Sequence, residues 1–160
     1  MEIRLAQKGD IPRILELLGQ IARLHAEGRP ELFRSGTKFS FEDVEQMLTD
    51  SNKPVFVAVE EECIWGYIFC VHKELRGHGV LSDRKVLYID DLCVDENCRG
   101  QGIGKALYDH ALALARETGC FNVELNVWAF NESAVRFYEK CGMKPQRVFM
   151  ETILEKNDAE

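Results

Sequence analysis

Residues 98–107 read CRGQGIGKAL, placing Gly100, Gly102 and Gly104 at alternate positions directly ahead of a helical run. Glycine loses more conformational freedom on folding than any other residue, so such clustering marks a tight turn or a ligand pressed against the main chain. A loop of this kind opening a helix turns unpaired N–H groups and the positive end of the helix dipole outward, which suits a phosphate. Two well-known phosphate loops do not fit. A nucleoside triphosphate loop needs a glycine where Arg99 stands and a hydroxyl where Ala106 stands, so no side chain there can serve magnesium. A dinucleotide fingerprint needs G-x-G-x-x-G after the first strand of a βαβ unit, whereas here the spacing is G-x-G-x-G and several strands come first. A glycine turn without a ligand would leave Arg99 and Lys105 with no packing role.

Working outward, the pattern predicts β-α-α-β-β ahead of the loop. MEIRLAQ (1–7) alternates as a strand, and Asp10 is placed to cap a helix with apolar positions Ile14, Leu15, Leu18, Ile21 and Ala22, ending near Gly28. FEDVEQMLTD (41–50) reads as a short helix capped by Ser40, and PVFVAVE (54–60) with CIWGYIFCVHKE (63–74) as an antiparallel hairpin. The fourth strand is VLYIDDLCV (86–94). After the glycines a helix spans about 103–118, a strand covers NVELNVW (122–128), and Asn131 caps a helix whose inward stripe is Ala134, Phe137, Tyr138 and Cys141. RVFMETIL (147–154) is expected as a closing strand.

At 160 residues the chain has the length of one domain able to bury a core without staples. The formal net charge of −7 argues against general nucleic-acid binding and favours a cationic partner. No apolar run approaches the roughly 20 residues of a membrane helix, and MEIRLAQKGD lacks the layout of a signal peptide, so a cytoplasmic location is expected. The six cysteines form no C-x-x-C pair and read as reduced thiols. His25, His72, His78 and His110 make no metal-ligand spacing, and no metal is expected.

The run Arg99-Gly100-Gln101-Gly102-Ile103-Gly104 resembles the Arg/Gln-x-x-Gly-x-Gly/Ala signature of the GNAT superfamily of acetyl-coenzyme A (acetyl-CoA) dependent N-acetyltransferases. The likeness extends to YIDDLCV (88–94) and to NVWAFNESAVRFYEKCGM (126–143), a block of strand, asparagine, and a helix with Phe-Tyr ahead of Gly-Met; in detail it covers about residues 86–145. The resemblance implies an α/β (α+β) fold, a mostly antiparallel central sheet with flanking helices, whose strands four and five run parallel and splay at their C-terminal ends. Length and the charged C-terminus are read as one domain over 1–155 and a loose tail over 156–160, and the resemblance allows a homodimer.

The splayed strands would leave backbone groups free to pair with the amides of a pantetheine arm. Main-chain N–H groups near Leu92 are expected to polarise the thioester carbonyl, with Cys93 and Val94 holding the arm. The pyrophosphate would lie over Arg99, Gly100, Gln101, Gly102, Ile103 and Gly104, with Lys105 and Asn131 beside the coenzyme. Acyl transfer needs a neutral amine, and deprotonating an alkylamine of pKa near 10.4 at pH 7 costs roughly 4.6 kcal/mol, so a base or a dry site must help. Asp90 is the expected base by its position in the resemblance; Asp91 points to the opposite face if the strand is regular, and an irregularity would exchange the two. Tyr138 matches the family's tyrosine that protonates the coenzyme A thiolate. Asp90, Asp91, Glu27, Glu124 and Asn126 are expected to receive the acceptor, a small cationic amine or an amine of a peptide or protein. Two alternatives stay open: an acyl-cysteine route through Cys93, and a domain that binds the coenzyme without catalysis.

Overall fold

The computed structural model describes residues 1–154, in the order β1 (Glu2–Leu5), α1 (Ile11–Gly28), α2 (Phe41–Met47), β2 (Val55–Glu60), β3 (Cys63–Leu75), β4 (Arg84–Val94), α3 (Ile103–Glu117), β5 (Asn122–Glu124) and α4 (Glu132–Lys140). The expected tail over 156–160 lies outside the described residues. The five strands form one sheet in sequence order; β1 to β4 are antiparallel neighbours, and β4 pairs with β5 in parallel. The hairpin between β2 and β3 turns through Glu61 and Glu62, both in the left-handed region (φ 50° and 64°), the twist that a two-residue hairpin favours.

Alternation along the strands splits the core between the two faces of the sheet. Val55, Val57, Tyr67, Phe69 and Cys93 pack with Ile14, Leu17 and Leu18 of α1 and Val44 of α2. Phe56, Ala58, Ile68, Cys70, Leu87 and Ile89 pack with Ile103, Leu107 and Ala111 of α3. Ile89 and Cys93 belong to opposite faces although they stand four positions apart, because β4 carries a bulge. Phe69 pairs with Asp91 and Cys70 with Ile89, leaving Asp90 as the extra residue. The bulge resets the alternation, so an unbroken period of two does not run through this strand.

Three local expectations are corrected. Asp10 stands at the start of α1, but its carboxylate makes no cap; it is bonded to Arg4 (2.7 Å) and to the Gln7 amide (2.7 Å). The strand expected over 122–128 stops at Glu124, because β5 has partners only from Val86 to Tyr88 of β4 before the two chains diverge. RVFMETIL forms no strand: residues 147–154 have no secondary structure and lie exposed.

Candidate active site

The divergence of β4 from β5 creates the site. Past Tyr88 no residue of β4 has a partner on β5, and the gap opens into a cavity of about 590 Å³. Its walls come from α1 and the loop behind it (His25, Phe33, Lys38), from β4 (Asp90, Asp91, Leu92), and from the segment after β5 together with α4 (Trp128, Tyr138).

At the mouth of the gap the chain turns through the glycines. Gly100 and Gly102 have φ of +78° and +83°, where a side chain is strained, and Gly102 is the residue from which α3 starts. Ala106 is the first amide to bond back into the helix, to the Gly102 carbonyl at 3.0 Å, so the amides of 103–105 have no intrahelical acceptor. Gly104 lies under the Phe137 ring, which a Cβ there would approach to 3.3 Å. Ahead of the loop, buried Asp95 holds it in place by accepting from Arg13 (2.5 Å), Gln20 (3.2 Å) and the Asn97 amide (2.9 Å). Neither Asp95 nor Arg13 is marked by a sequence motif; only the fold brings them together across 82 positions. Of the flanking charges, Arg99 is exposed and reaches the Val94 carbonyl at 3.4 Å, and Lys105 is paired with Asp109 on the helix surface at 2.6 Å. Gln101 is exposed and Ile103 is buried.

The bulge brings both aspartates to the cavity but gives them different surroundings. Lys38 donates to the Asp90 carbonyl (2.7 Å) and to its carboxylate (3.0 Å). Among the described residues Asp91 has no ion pair; burial pushes its carboxyl up to about 6, with Lys38 opposing and Asp90 reinforcing the rise. Tyr138 also lines the cavity, and burial, followed by the charge of Asp91, raises its phenol well above the usual range. Cys93 points away into the core, its Sγ donating to the Leu17 carbonyl at 3.5 Å, and burial pushes the thiol up to about 12. Such a thiol is a poor source of the thiolate that an acyl-cysteine route needs. Leu92 lines the cavity, while Val94 packs toward α3.

Asn131 accepts from the Ala134 amide at 3.3 Å, as its capping role requires, and faces the cavity. Asn126 lines the cavity too, donating to the Tyr88 hydroxyl at 3.0 Å. Two expected acceptor residues are not brought in. Glu27 is exposed outside the cavity, and Glu124, the last residue of β5, is held beside Asn122 (2.9 Å), Gln146 (3.1 Å) and Arg84 (3.7 Å) and does not line it. In their place the structure supplies an aromatic rim that no local pattern announces. His25 stacks on Phe33 (5.0 Å between centroids), Phe33 meets Trp128 edge-on (5.2 Å), and Trp128 stacks near Phe130 (6.0 Å). Burial, followed by the Lys38 charge, lowers the His25 pKa and favours a neutral ring.

Residues 19–143 match the model of the Acetyltransferase (GNAT) family. The solved tetramutant of the BH1408 protein from Bacillus halodurans has the same fold, with a TM-score of 0.93 and 32% identity, covering 96% of this chain and 100% of that one. A glucosamine 6-phosphate N-acetyltransferase of Trypanosoma brucei brucei is 28% identical over 154 residues, 90% of this chain and 89% of that protein. The peptidyl-lysine N-acetyltransferase YjaB of Salmonella typhimurium is 46% identical over 104 residues, 64% of this chain and 59% of that protein. A parallel pair of strands that part over a glycine-led helix, joined to a family match over most of the length, settles the class: the chain belongs to the GNAT family of acetyltransferases.

Proposed function

We propose that this protein moves an acetyl group from acetyl-CoA to a primary amine by direct attack while both substrates are bound. The observation that carries the reading is the placing of Asp91 and Tyr138 in one cavity, opened by the parting of β4 and β5 beside free amides of α3. Those amides, with the left-handed turn at Gly102, suit a pyrophosphate, and the unpaired side of β4 around Leu92 suits the pantetheine arm. Bound there, acetyl-CoA supplies the activated thioester.

The remaining work falls to the chain's own groups. Asp91 is the base in this reading rather than Asp90, whose carboxylate is occupied by Lys38. With a pKa of about 6 it is mostly ionised at pH 7 yet basic enough to take a proton from the ammonium, directly or through water. Tyr138 stays protonated and donates to the departing thiolate; the burial that raises its phenol also raises the basicity of a thiolate beside it. The charged side chains lining the cavity are Arg34 and Lys38 against Asp90 and Asp91, a balanced set. That balance, with the aromatic rim, favours an amine on a neutral or anionic body over a polycation. The buried thiols of Cys70 and Cys93 suit a reducing compartment, supporting a cytoplasmic location.

The test is incubation with acetyl-CoA and separate acceptors: glucosamine 6-phosphate, a lysine peptide, an aminoglycoside and spermidine. Free thiol release is followed, and the acetylated acceptor is identified by mass spectrometry. Turnover preferring the sugar phosphate or peptide supports the reading, and preference for spermidine removes the argument from charge balance. Calorimetric binding of acetyl-CoA with no turnover on any amine favours the non-catalytic domain.

A further inference from the structure

Two deficits meet on the face of the sheet that α1 covers. The first is a donor without an acceptor: Tyr67 of β3 is 0% exposed, and among the described residues its hydroxyl has no hydrogen-bond partner. Leaving such a group unpaired costs its full desolvation, so a native chain seldom keeps one without a use. The second is a carboxylate without a counter-ion: among the described residues Asp91 has no ion pair, and Lys38 is committed to Asp90.

The register of β3 and β4 sets the two side by side. Tyr67 pairs with Cys93, and Phe69 pairs with Asp91. Residues two apart in a strand share a face, so Asp91 lies diagonally across from Tyr67, within reach of a side chain as long as tyrosine. The ring itself is fixed, meeting Phe69 edge-on (5.0 Å between centroids) in the core with Leu17, Leu18 and Cys93. Cys93 is the other polar group nearby, but its thiol is turned to the Leu17 carbonyl (3.5 Å), and sulfur is a weak acceptor. Tyr67 does not line the cavity, whereas Asp91 does. The hydroxyl therefore approaches the carboxylate from the core, leaving the cavity side open to the acceptor.

The groups facing Asp91 are Lys38 from the loop after α1, Tyr67 from β3, Tyr138 from α4, and Asp90 and Cys93 on its own strand; His25 of α1 and Arg34 line the same cavity. Lys38, the Leu92 amide and the Tyr67 hydroxyl favour the ionised carboxylate, while burial and Asp90 oppose it.

We infer that Tyr67 is a positioning residue for acetyl transfer: its hydroxyl donates to one oxygen of ionised Asp91 from the core side and holds the other oxygen toward the acceptor amine. This role rests on the reading of Asp91 as the base. In the structure the hydroxyl stops short of a formed bond, and bonds of this kind tighten once substrates fill the site. A donor to the charged form keeps a carboxyl ionised to lower pH, so without it the pKa of Asp91 rises.

Tyr67→Phe keeps the ring and removes the donor. Carbon-13 NMR titration of aspartate-labelled protein, with the Asp91 carboxyl signal identified by its loss in Asp91→Asn, is expected to show the midpoint rising by about one pH unit. The acid limb of kcat/KM should move with it, making the loss of activity about tenfold greater at pH 5 than at pH 8. A role in packing alone moves neither. A midpoint that does not rise overturns the inference, whatever the rates do. A midpoint that rises while the acid limb stays put overturns the base assignment and leaves the hydrogen bond standing. If Tyr67→Phe fails to fold, position 67 is kept intact and tyrosine labelled with carbon-13 at Cζ is read in Tyr138→Phe protein. The Tyr67 signal should then titrate with the midpoint of Asp91 and stay still when Asp91→Asn is added; a signal indifferent to Asp91 overturns the inference.

Discussion

Replacing Asp91 with asparagine is expected to make the protein more stable and less active. Burial raises the Asp91 carboxyl from its ordinary 3.8 to about 6, a rise of about 2 pH units. At 1.36 kcal/mol per unit, the ionised carboxylate destabilises the fold by about 3 kcal/mol. Access to solvent through the cavity reduces this, so about 2 kcal/mol is the working expectation. Below about pH 4 the carboxyl is protonated in both folded and unfolded chains, and the penalty is absent. Between about pH 4 and 6 the unfolded chain ionises first, so wild type loses stability as the pH rises; above about 6 the loss is complete. Asp91→Asn has no such loss. Its advantage should be near zero at pH 4 and reach about 2 kcal/mol at pH 8, or about 4–8 °C in melting temperature for a chain of this size. Thermal melts at the two pH values read this directly. The same variant should lose about 10²-fold or more in kcat/KM, together with the acid limb of the wild-type pH profile near 6. Equal melting temperatures at pH 8, or an unchanged pH profile, would refute the assignment of a strained, working carboxylate to Asp91.

Tyr138→Phe should lower kcat by about 10²-fold while acetyl-CoA binding, measured by calorimetry, stays within about threefold, because the ring packing survives and only the proton donor is lost. Gly102→Ala forces a side chain into the left-handed region at φ +83°, so a loss of about 1–2 kcal/mol in thermal stability and weaker acetyl-CoA binding are expected. Asp95→Ala leaves Gln20 and the Asn97 amide without their acceptor beneath the glycine turn and Arg13 with Glu16 as its remaining carboxylate partner; chemical denaturation should register about 2 kcal/mol of destabilisation. Burial alone raises Asp95, but the Asn97 amide, Arg13 and Gln20 outweigh it and hold the carboxyl below its usual range. The stability it supplies is therefore present above about pH 4 and disappears as the pH falls through the folded-state value, so an acid titration of wild type should show a loss that Asp95→Ala lacks.

What the residues specify among near neighbours in the chain could be read without coordinates. The glycine turn and the start of α3, the Ser40 and Asn131 caps, the hairpin of β2 and β3, and the inward stripe carrying Tyr138 all depend on contacts within a few positions, where residue type dictates backbone geometry. The parting of β4 and β5 was legible only through likeness to a family, since nothing in VLYIDDLCV announces where its partner stops. Tertiary structure alone decided the rest. A single bulged residue in β4 gave Lys38 to Asp90 and left the unpaired carboxylate on Asp91, and one extra residue in a strand is invisible to a period of two. Glu27 and Glu124 were drawn to the acceptor by charge, but whether a carboxylate faces a cavity or solvent depends on how α1 and β5 are docked. The closing strand failed for the same reason: RVFMETIL is rich in the apolar residues of a strand, but a strand exists only where a second backbone meets it, and among the described residues none does.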